Sequence, residues 1–387
     1  MIYLDNAATS WPKPDPVYQT LADFLKTAGA NPGRSGHKMA ALASATIDDT
    51  RAKLARLFGV SDPRRVIFAS NTTDALNLAI KGTLRPGDHV VTTVMEHNSI
   101  RRPLRALAAH DVSTTKVPAD RQGFIDPADI ASAIRPNTRL IAMTHASNVN
   151  GALQPVEEVA EIAHRHGCLL LVDAAQTAGT IPISLGRLGA DLLAFPGHKA
   201  LMGPPGTGGL LIGDRVGFDD LIPVREGGTG GNSEEDVQPQ ELPARFEAGT
   251  VNTVGIAALG TALDYLAETG VEAAGAHERE MNSRLIEGLA AIPGVTVLSP
   301  ADESMRVACT SIVVDGWEPA DFGIALDSAF DIACRTGLHC APEACGAIGA
   351  LPYGTVRLSA GFYTSIDDID RAVAAVGELA GAALRMD

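Results

Sequence analysis

Between about residues 65 and 215, short apolar runs alternate with stretches of helical spacing. This alternation constrains the fold more than any other feature of the chain. The runs are Arg65–Ala69, His89–Thr93, Thr138–Thr144, Leu169–Val172, Asp191–Ala194 and Gly209–Ile212. Between them, Asp74–Lys81, Ile100–His110, Ile130–Ile134 and Val156–His166 repeat their apolar residues at helical intervals. Apolar runs of this kind belong to strands buried on both faces, with the intervening helices as cover. The expected fold class is therefore α/β, a mostly parallel central sheet with helices on both faces. In such sheets ligands bind beyond the carboxyl ends of the strands. Polar residues crowd those ends here: Asn71-Thr72-Thr73, Glu96-His97-Asn98, His145-Ala146-Ser147-Asn148, Asp173-Ala174-Ala175-Gln176 and His198-Lys199.

Residues 226 to 250 are Gly-rich and acidic with little periodicity, and read as a long functional loop. Helical patterns follow at about Thr253–Glu268, Val271–Ile292 and Ser365–Arg385, with strand candidates Ile312–Val314 and Thr355–Leu358. This is the pattern of a smaller α+β domain at the carboxyl end. The expected division is a large domain over 15–260 and a small one formed by 1–14 and 261–387.

The chain has 387 residues, of which 45% are hydrophobic and 20% charged, enough for two domains. Its net charge of -15 would repel a phosphate backbone, which argues against nucleic acid as a partner. No apolar run approaches the roughly 20 residues of a membrane helix. No basic segment followed by an apolar one opens the chain, so no signal peptide is visible. With five cysteines (an odd number) and that start, a cytoplasmic location is expected. Cys340 and Cys345 have no second cysteine pair or His-x-x-x-His beside them, so no metal site is expected.

Two of the polar clusters define a chemistry. Asp173 closes one buried strand and Lys199 closes the next. A pyridoxal 5'-phosphate (PLP) enzyme needs this pair: the amine forms a Schiff base with the cofactor and the carboxylate partners its pyridinium nitrogen. Gln176 lies within reach of the cofactor's phenolic oxygen if the strand turns there, and His97 could lie on the ring face. Asn71-Thr72-Thr73-Asp74 follows a strand and opens a helix, so its N–H groups could cup a phosphate. Each also has a plainer reading: a solvated lysine, a helix cap, a surface amide, a structural histidine. Gly203-Pro204-Pro205-Gly206-Thr207-Gly208-Gly209 has no lysine placed as in a nucleotide-binding loop. Arg357, in a late strand, offers a guanidinium fork for a carboxylate. Cys340 sits in a loop beside His339 and near Arg335, and cationic neighbours favour the reactive thiolate. A buried, inert cysteine is the commoner case. Cys168 and Cys309 read as core.

The chain resembles the class V aminotransferase family of PLP enzymes of fold type I, and most closely its cysteine desulfurases and selenocysteine lyases of the Suf-type branch. The match runs nearly end to end. It is anchored on Tyr3-Leu4-Asp5-Asn6-Ala7-Ala8-Thr9, Glu96-His97-Asn98, Ser147-Asn148-Val149, Asp173-Ala174-Ala175-Gln176, Gly197-His198-Lys199, Arg245-Phe246-Glu247-Ala248-Gly249-Thr250 and Arg335-Thr336-Gly337-Leu338-His339-Cys340-Ala341. The last segment resembles the short catalytic loop of that branch.

The resemblance implies PLP held by Lys199, Asp173, Gln176 and His97, with Thr72, Thr73 and His198 on its phosphate. Thr250 would serve the phosphate of the neighbouring subunit in a homodimer with shared sites. Ala7, His37, Asn148 and Arg357 would contact the substrate, L-cysteine or L-selenocysteine. Cys340 would take sulfur from it as a persulfide and pass it to an acceptor protein or thiol, with iron–sulfur cluster assembly one destination. The family alternatives are a selenocysteine lyase, an aminotransferase or a C–S lyase. The chain departs from the pattern at Pro196, where many members carry a phosphate-binding Ser or Thr, at Leu338 and at Asn98-Ser99. These mark a divergent subgroup.

Overall fold

The computed structural model describes residues 1–33, 36–230, 234 and 236–383. Among them, seven strands form one sheet in the spatial order Val66–Ala69, Gly208–Ile212, Leu192–Pro196, Leu169–Asp173, Thr138–Thr144, His89–Thr93 and Ser113–Val117. The last five pair in parallel; Gly208–Ile212 runs antiparallel to both its neighbours.

The alternation in the sequence maps onto two cores, one on each face of this sheet. Ile141, Met143, Leu170 and Val172 point into one, and Leu140, Ala142, Leu169 and Leu171 into the other. All eight are buried. Burying each larger side chain stabilises the fold by about 1.5–3 kcal/mol. A register slip of one residue would exchange the two sets.

Two helices before residue 60, Asp15–Thr27 and Lys38–Phe58, were not marked by the periodicity. The first buries only Val17 and Phe24. The second buries Ala40, Ala43 and Ala55 among larger residues, so its apolar stripe has little contrast. It stops at Gly59, whose left-handed φ of 64° suits a residue without a side chain. The edge strand Ser113–Val117 is polar and half exposed, and carries no apolar run to reveal it.

A second sheet is antiparallel throughout, in the order Arg335–Gly337, Thr355–Leu358, Thr310–Val314, Val295–Val297. Helices Val271–Ala290, Pro319–Phe330 and Ile366–Ala383 accompany it. It has its own core, which includes Ile2, Leu4, Leu285, Ile312, Phe322 and Leu358. The amino terminus joins it: Ile2–Tyr3 pairs with Ile332–Ala333, and Asp5 bridges to Ser359. Among the described residues, no helix is long and apolar enough to cross a membrane.

Candidate active site

The register of the large sheet assembles the site. Asp173 pairs with Thr144 on one side and Ala194 on the other, so three strands end together. The helix Thr72–Thr83 opens beside them, and the amino-terminal segment and the small sheet close over the top. The result is a cavity of about 200 Å³ lined by Ala7, Thr72, Thr73, His97, Asn148, Asp173, Gln176, His198, Lys199 and Arg357. Residues 350 apart in sequence meet here. Arg335 and His339 line it too.

Lys199 follows the strand Leu192–Pro196. Burial lowers its amine to about 8, helped by the Arg357 charge and opposed by Asp173. A larger fraction of uncharged, nucleophilic amine is therefore present near neutral pH. Asp173 is 3% exposed. One of its oxygens accepts the Ala175 N–H at 2.9 Å; among the described residues, no hydrogen bond reaches the other. Burial raises the carboxyl to about 6. A buried carboxylate with one open oxygen facing a cavity calls for a cationic partner.

His97 caps the helix Asn98–Leu107. Its Nδ1 accepts the Ser99 N–H at 3.1 Å, which leaves its proton on Nε2. Burial, then the Lys199 charge, lowers this imidazole to about 4. The ring is neutral and suited to lie on an aromatic plane. Ser99 Oγ also stands 2.8 Å from His97 Nδ1 and 2.7 Å from Thr73 Oγ1, which ties the ring to the helix end beside it. The sequence reading passed over Ser99 except as a departure. Its signal was the cap spacing, His97 followed two residues later by a hydroxyl.

Asn71 caps the helix Thr72–Thr83, accepting the Asp74 N–H at 2.9 Å. The opening N–H groups of that helix have no intrahelical partner and favour an anion. His198 stands across from them, its Nδ1 3.1 Å from Thr9 Oγ1. Burial lowers its imidazole to about 4. Pro196 ends its strand buried, without a hydroxyl to offer.

Arg357 is 1% exposed. It donates to Asp5 Oδ1 at 2.7 Å and to the Asn148 carbonyl at 2.9 Å, while its Nε has no partner among the described residues. An unpartnered donor on a buried guanidinium fits a carboxylate ligand. Gln176 donates to the Ala7 carbonyl at 3.2 Å, and Asn148 to the His339 carbonyl at 2.7 Å.

Three expected residues lie outside the lining. Cys340 is exposed at the edge, its Sγ 3.6 Å from the Arg335 guanidinium. His339 and Cys340 both adopt left-handed φ, 49° and 58°. The bend is held on several sides. The Asn98 N–H donates to the Cys340 carbonyl at 2.8 Å, and the Ala341 N–H to that of Leu338 at 2.8 Å. Just beyond, Glu343 receives Arg101 at 2.7 Å. His37 caps the helix Lys38–Phe58, accepting the Ala40 N–H at 3.2 Å. Thr250 is exposed on another face, 3.5 Å from Asn31. Cys168, Cys309 and Cys345 are buried.

Glu96 sits behind this floor, fully buried. Thr93 Oγ1 donates to one of its oxygens at 2.6 Å, and among the described residues no side-chain or main-chain group meets the other in hydrogen-bond geometry. Burial raises this carboxyl to about 8. A raised carboxyl stabilises the fold fully below its unfolded value, 4.5, and that contribution is lost as pH rises through about 8. We predict that Glu96→Gln gains stability over the wild type as pH rises from 4.5 to about 8, at up to roughly 1.4 kcal/mol per pH unit. Denaturant melts of the two apoproteins across that range check it; a constant difference would show that Glu96 is ionised throughout.

The model of the family described as aminotransferase class-V matches residues 2–372. The chain belongs to this family of PLP-dependent enzymes, and its fold is their fold type I. Among curated relatives, a probable cysteine desulfurase of Methanothermobacter thermautotrophicus is 34% identical over 98% of this chain and 95% of its own. A cysteine desulfurase of Synechococcus elongatus is 32% identical, over 97% of this chain and 60% of its own. Among solved structures, the apo cysteine desulfurase of Thermococcus onnurineus superposes with a TM-score of 0.92 at 32% identity, covering 98% of this chain and 95% of its own. The cysteine desulfurase CsdA of Escherichia coli, in an S-sulfonic acid form, gives 0.88 at 28%, covering 100% and 95%.

Proposed function

We propose that this chain is a PLP-dependent cysteine desulfurase: it takes sulfur from L-cysteine onto Cys340 and releases L-alanine. The observation that carries this reading is the shared cavity of Lys199, Asp173, His97 and Arg357 with a thiol held at its edge. The open oxygen of Asp173, the neutral ring of His97 and the free helix end at Thr72 and Thr73 fit the cofactor's ring and phosphate. When bound, PLP supplies an aldehyde for amine exchange and a ring that accepts the electron pair released at the substrate α-carbon.

The protein's own groups do the rest. Asp173 would hold the ring nitrogen's proton, Gln176 would serve the phenolic oxygen, and His198 would join the helix end on the phosphate. Arg357 and Asn148 hold the substrate carboxylate, with Ala7 and His37 on the substrate side. Lys199 tethers the cofactor, takes the α-proton and later returns it. Cys340 thiolate attacks the substrate sulfur within roughly 3–3.5 Å. The new S–S bond forms as the substrate C–S bond breaks. The electron pair of that bond goes to the carbon fragment, which takes up a proton and leaves as alanine. L-cysteine and a thiol thus become L-alanine and a persulfide, with no external oxidant.

In this reading the large sheet and residues 15–260 carry the cofactor. Residues 1–14 and 261–387 close the site and bring Arg357 and Cys340; the small sheet has its own core, while Ala262, Leu263, Leu266 and Ala344 pack into that of the large sheet. Exposed Thr250 supports a homodimer, in which it reaches the partner's phosphate site. A cytoplasmic acceptor protein or thiol then removes the persulfide sulfur.

The test is the holoenzyme with L-cysteine as sole substrate, with and without reductant. Equal yields of alanine and sulfide are expected under reducing conditions. Pyruvate in place of alanine would instead make it a C–S lyase, and turnover of L-selenocysteine alone would make it a selenocysteine lyase.

A further inference from the structure

His339 and Cys340 stand side by side in the loop that carries the thiol, both in the left-handed conformation. For a residue with a side chain this is uncommon and persists where the surroundings hold it. His339 is 3% exposed and lines the cavity together with Arg357. Its ring Nε2 stands 2.8 Å from Thr355 Oγ1, Thr355 Oγ1 stands 2.7 Å from Ser311 Oγ, and Ser311 Oγ donates to the Val149 carbonyl at 2.6 Å. Thr355 and Ser311 are both fully buried.

These contacts have one direction. A carbonyl can only accept, so Ser311 gives its single hydroxyl proton to Val149. Ser311 must then accept from Thr355, and Thr355, its own proton given, must accept from His339. The imidazole proton therefore lies on Nε2, directed at Thr355. Nδ1 is buried with no partner among the described residues. Burial, then the Arg357 and Arg335 charges, lowers this imidazole to about 3, with the Thr355 main chain opposing. The ring is neutral. Of the two neighbours that the sequence set beside Cys340, Arg335 is the cation and His339 is not. The main chain of His339 is held from a second side: the Asn148 amide donates to its carbonyl at 2.7 Å, while the Asn148 carbonyl receives Arg357 at 2.9 Å. Ring and carbonyl are thus both tied to Asn148-Val149, the segment that also holds the guanidinium.

We propose that His339 is a positioning residue for Cys340: its ring, seated on the Thr355–Ser311 chain, holds the left-handed bend that presents the thiol at the cavity edge. The proposal rests on the Cys340 role given above and extends it. Removing the Thr355 hydroxyl leaves a buried N–H without an acceptor, and the bend loosens. His339 acts through the place it gives the sulfur, without charge.

Thr355→Val removes the hydroxyl at nearly the same shape, and Thr355→Ser keeps it. Thr355 lines neither this cavity nor the smaller one, about 30 Å³, that also reaches Lys199. In the PLP-loaded Thr355→Val enzyme, single-turnover transfer of sulfur from L-cysteine to Cys340, followed by mass spectrometry, is expected to slow about tenfold or more. The α-proton exchange of L-alanine in D₂O, which needs no thiol, is expected to keep its wild-type rate. Thr355→Ser is expected to restore transfer. In the apoproteins, main-chain hydrogen exchange across residues 338–345 is expected to be faster in Thr355→Val and as in wild type in Thr355→Ser. Wild-type transfer in Thr355→Val, equal slowing of transfer and alanine exchange, or no recovery in Thr355→Ser overturns the proposal. Should Thr355→Val fail to fold, imidazole nitrogen shifts of the wild-type apoprotein at neutral pH decide: a proton on His339 Nε2 is expected, and one on Nδ1 overturns the proposal. Failure of cysteine to yield alanine sinks the desulfurase reading, and the apoprotein measurements still test the bend.

Discussion

Lys199→Ala is expected to end turnover and to leave the chain without its tethered cofactor. Losing the proton transfer alone accounts for roughly 10²–10⁴-fold in rate, and the loss of the attached aldehyde comes on top. The Lys13 amine, close by in the fold, is held by Ser10 Oγ at 2.8 Å and the His198 carbonyl at 2.6 Å and lines neither cavity. The titratable groups sharing its cavities are Asp173 and Glu278, which are carboxyls, histidines held neutral by burial, and the guanidinium groups of Arg335 and Arg357. None is a primary amine. Absorption of the bound cofactor and borohydride reduction give the readout: wild type becomes permanently labelled, and the variant does not. A variant that stayed coloured, labelled and active would remove the amine from the mechanism.

Cys340→Ser is expected to bind PLP normally while alanine and sulfide release from cysteine drop at least about a hundredfold, equal to roughly 2.7 kcal/mol of barrier. The hydroxyl can occupy the same place beside Arg335, but it is a far weaker nucleophile at neutral pH than a thiolate. Cys340 lies outside the cavity lining, so removing its sulfur leaves the cofactor's surroundings intact. Mass spectrometry after exposure to cysteine separates the outcomes: wild type gains one sulfur on Cys340, and the variant gains none there. Turnover near the wild-type rate would show that another group takes the sulfur. Cys345 is a poor replacement. It is buried, its Sγ rests 3.6 Å from the Leu338 carbonyl, and burial pushes its thiol up to about 11.

Much of the site was legible because it is local. Asp173, Lys199, His97 and the Thr72-Thr73 helix start all follow directly from apolar runs, and a parallel sheet brings the ends of such runs together. The partnerships across the molecule were not legible. Nothing in the spacing joins Arg357 to Asp5, 352 positions away, or to the Asn148 carbonyl. Those contacts depend on how the small sheet folds back over the large one. The reversal of Gly208–Ile212 was not marked by its composition, since an apolar run carries no direction. The link before it did hold a clue: the eleven residues from Gly197 to Thr207 contain no helical pattern, and a parallel return needs a dozen or more.

The link between Asn98 N–H and the Cys340 carbonyl has a mechanical consequence. It couples the loop that carries the Cys340 sulfur to the helix that His97 caps, through main-chain atoms alone. Replacing either side chain leaves this brace in place. The spacing between the Cys340 segment and the start of the helix that His97 caps is therefore set by the backbone.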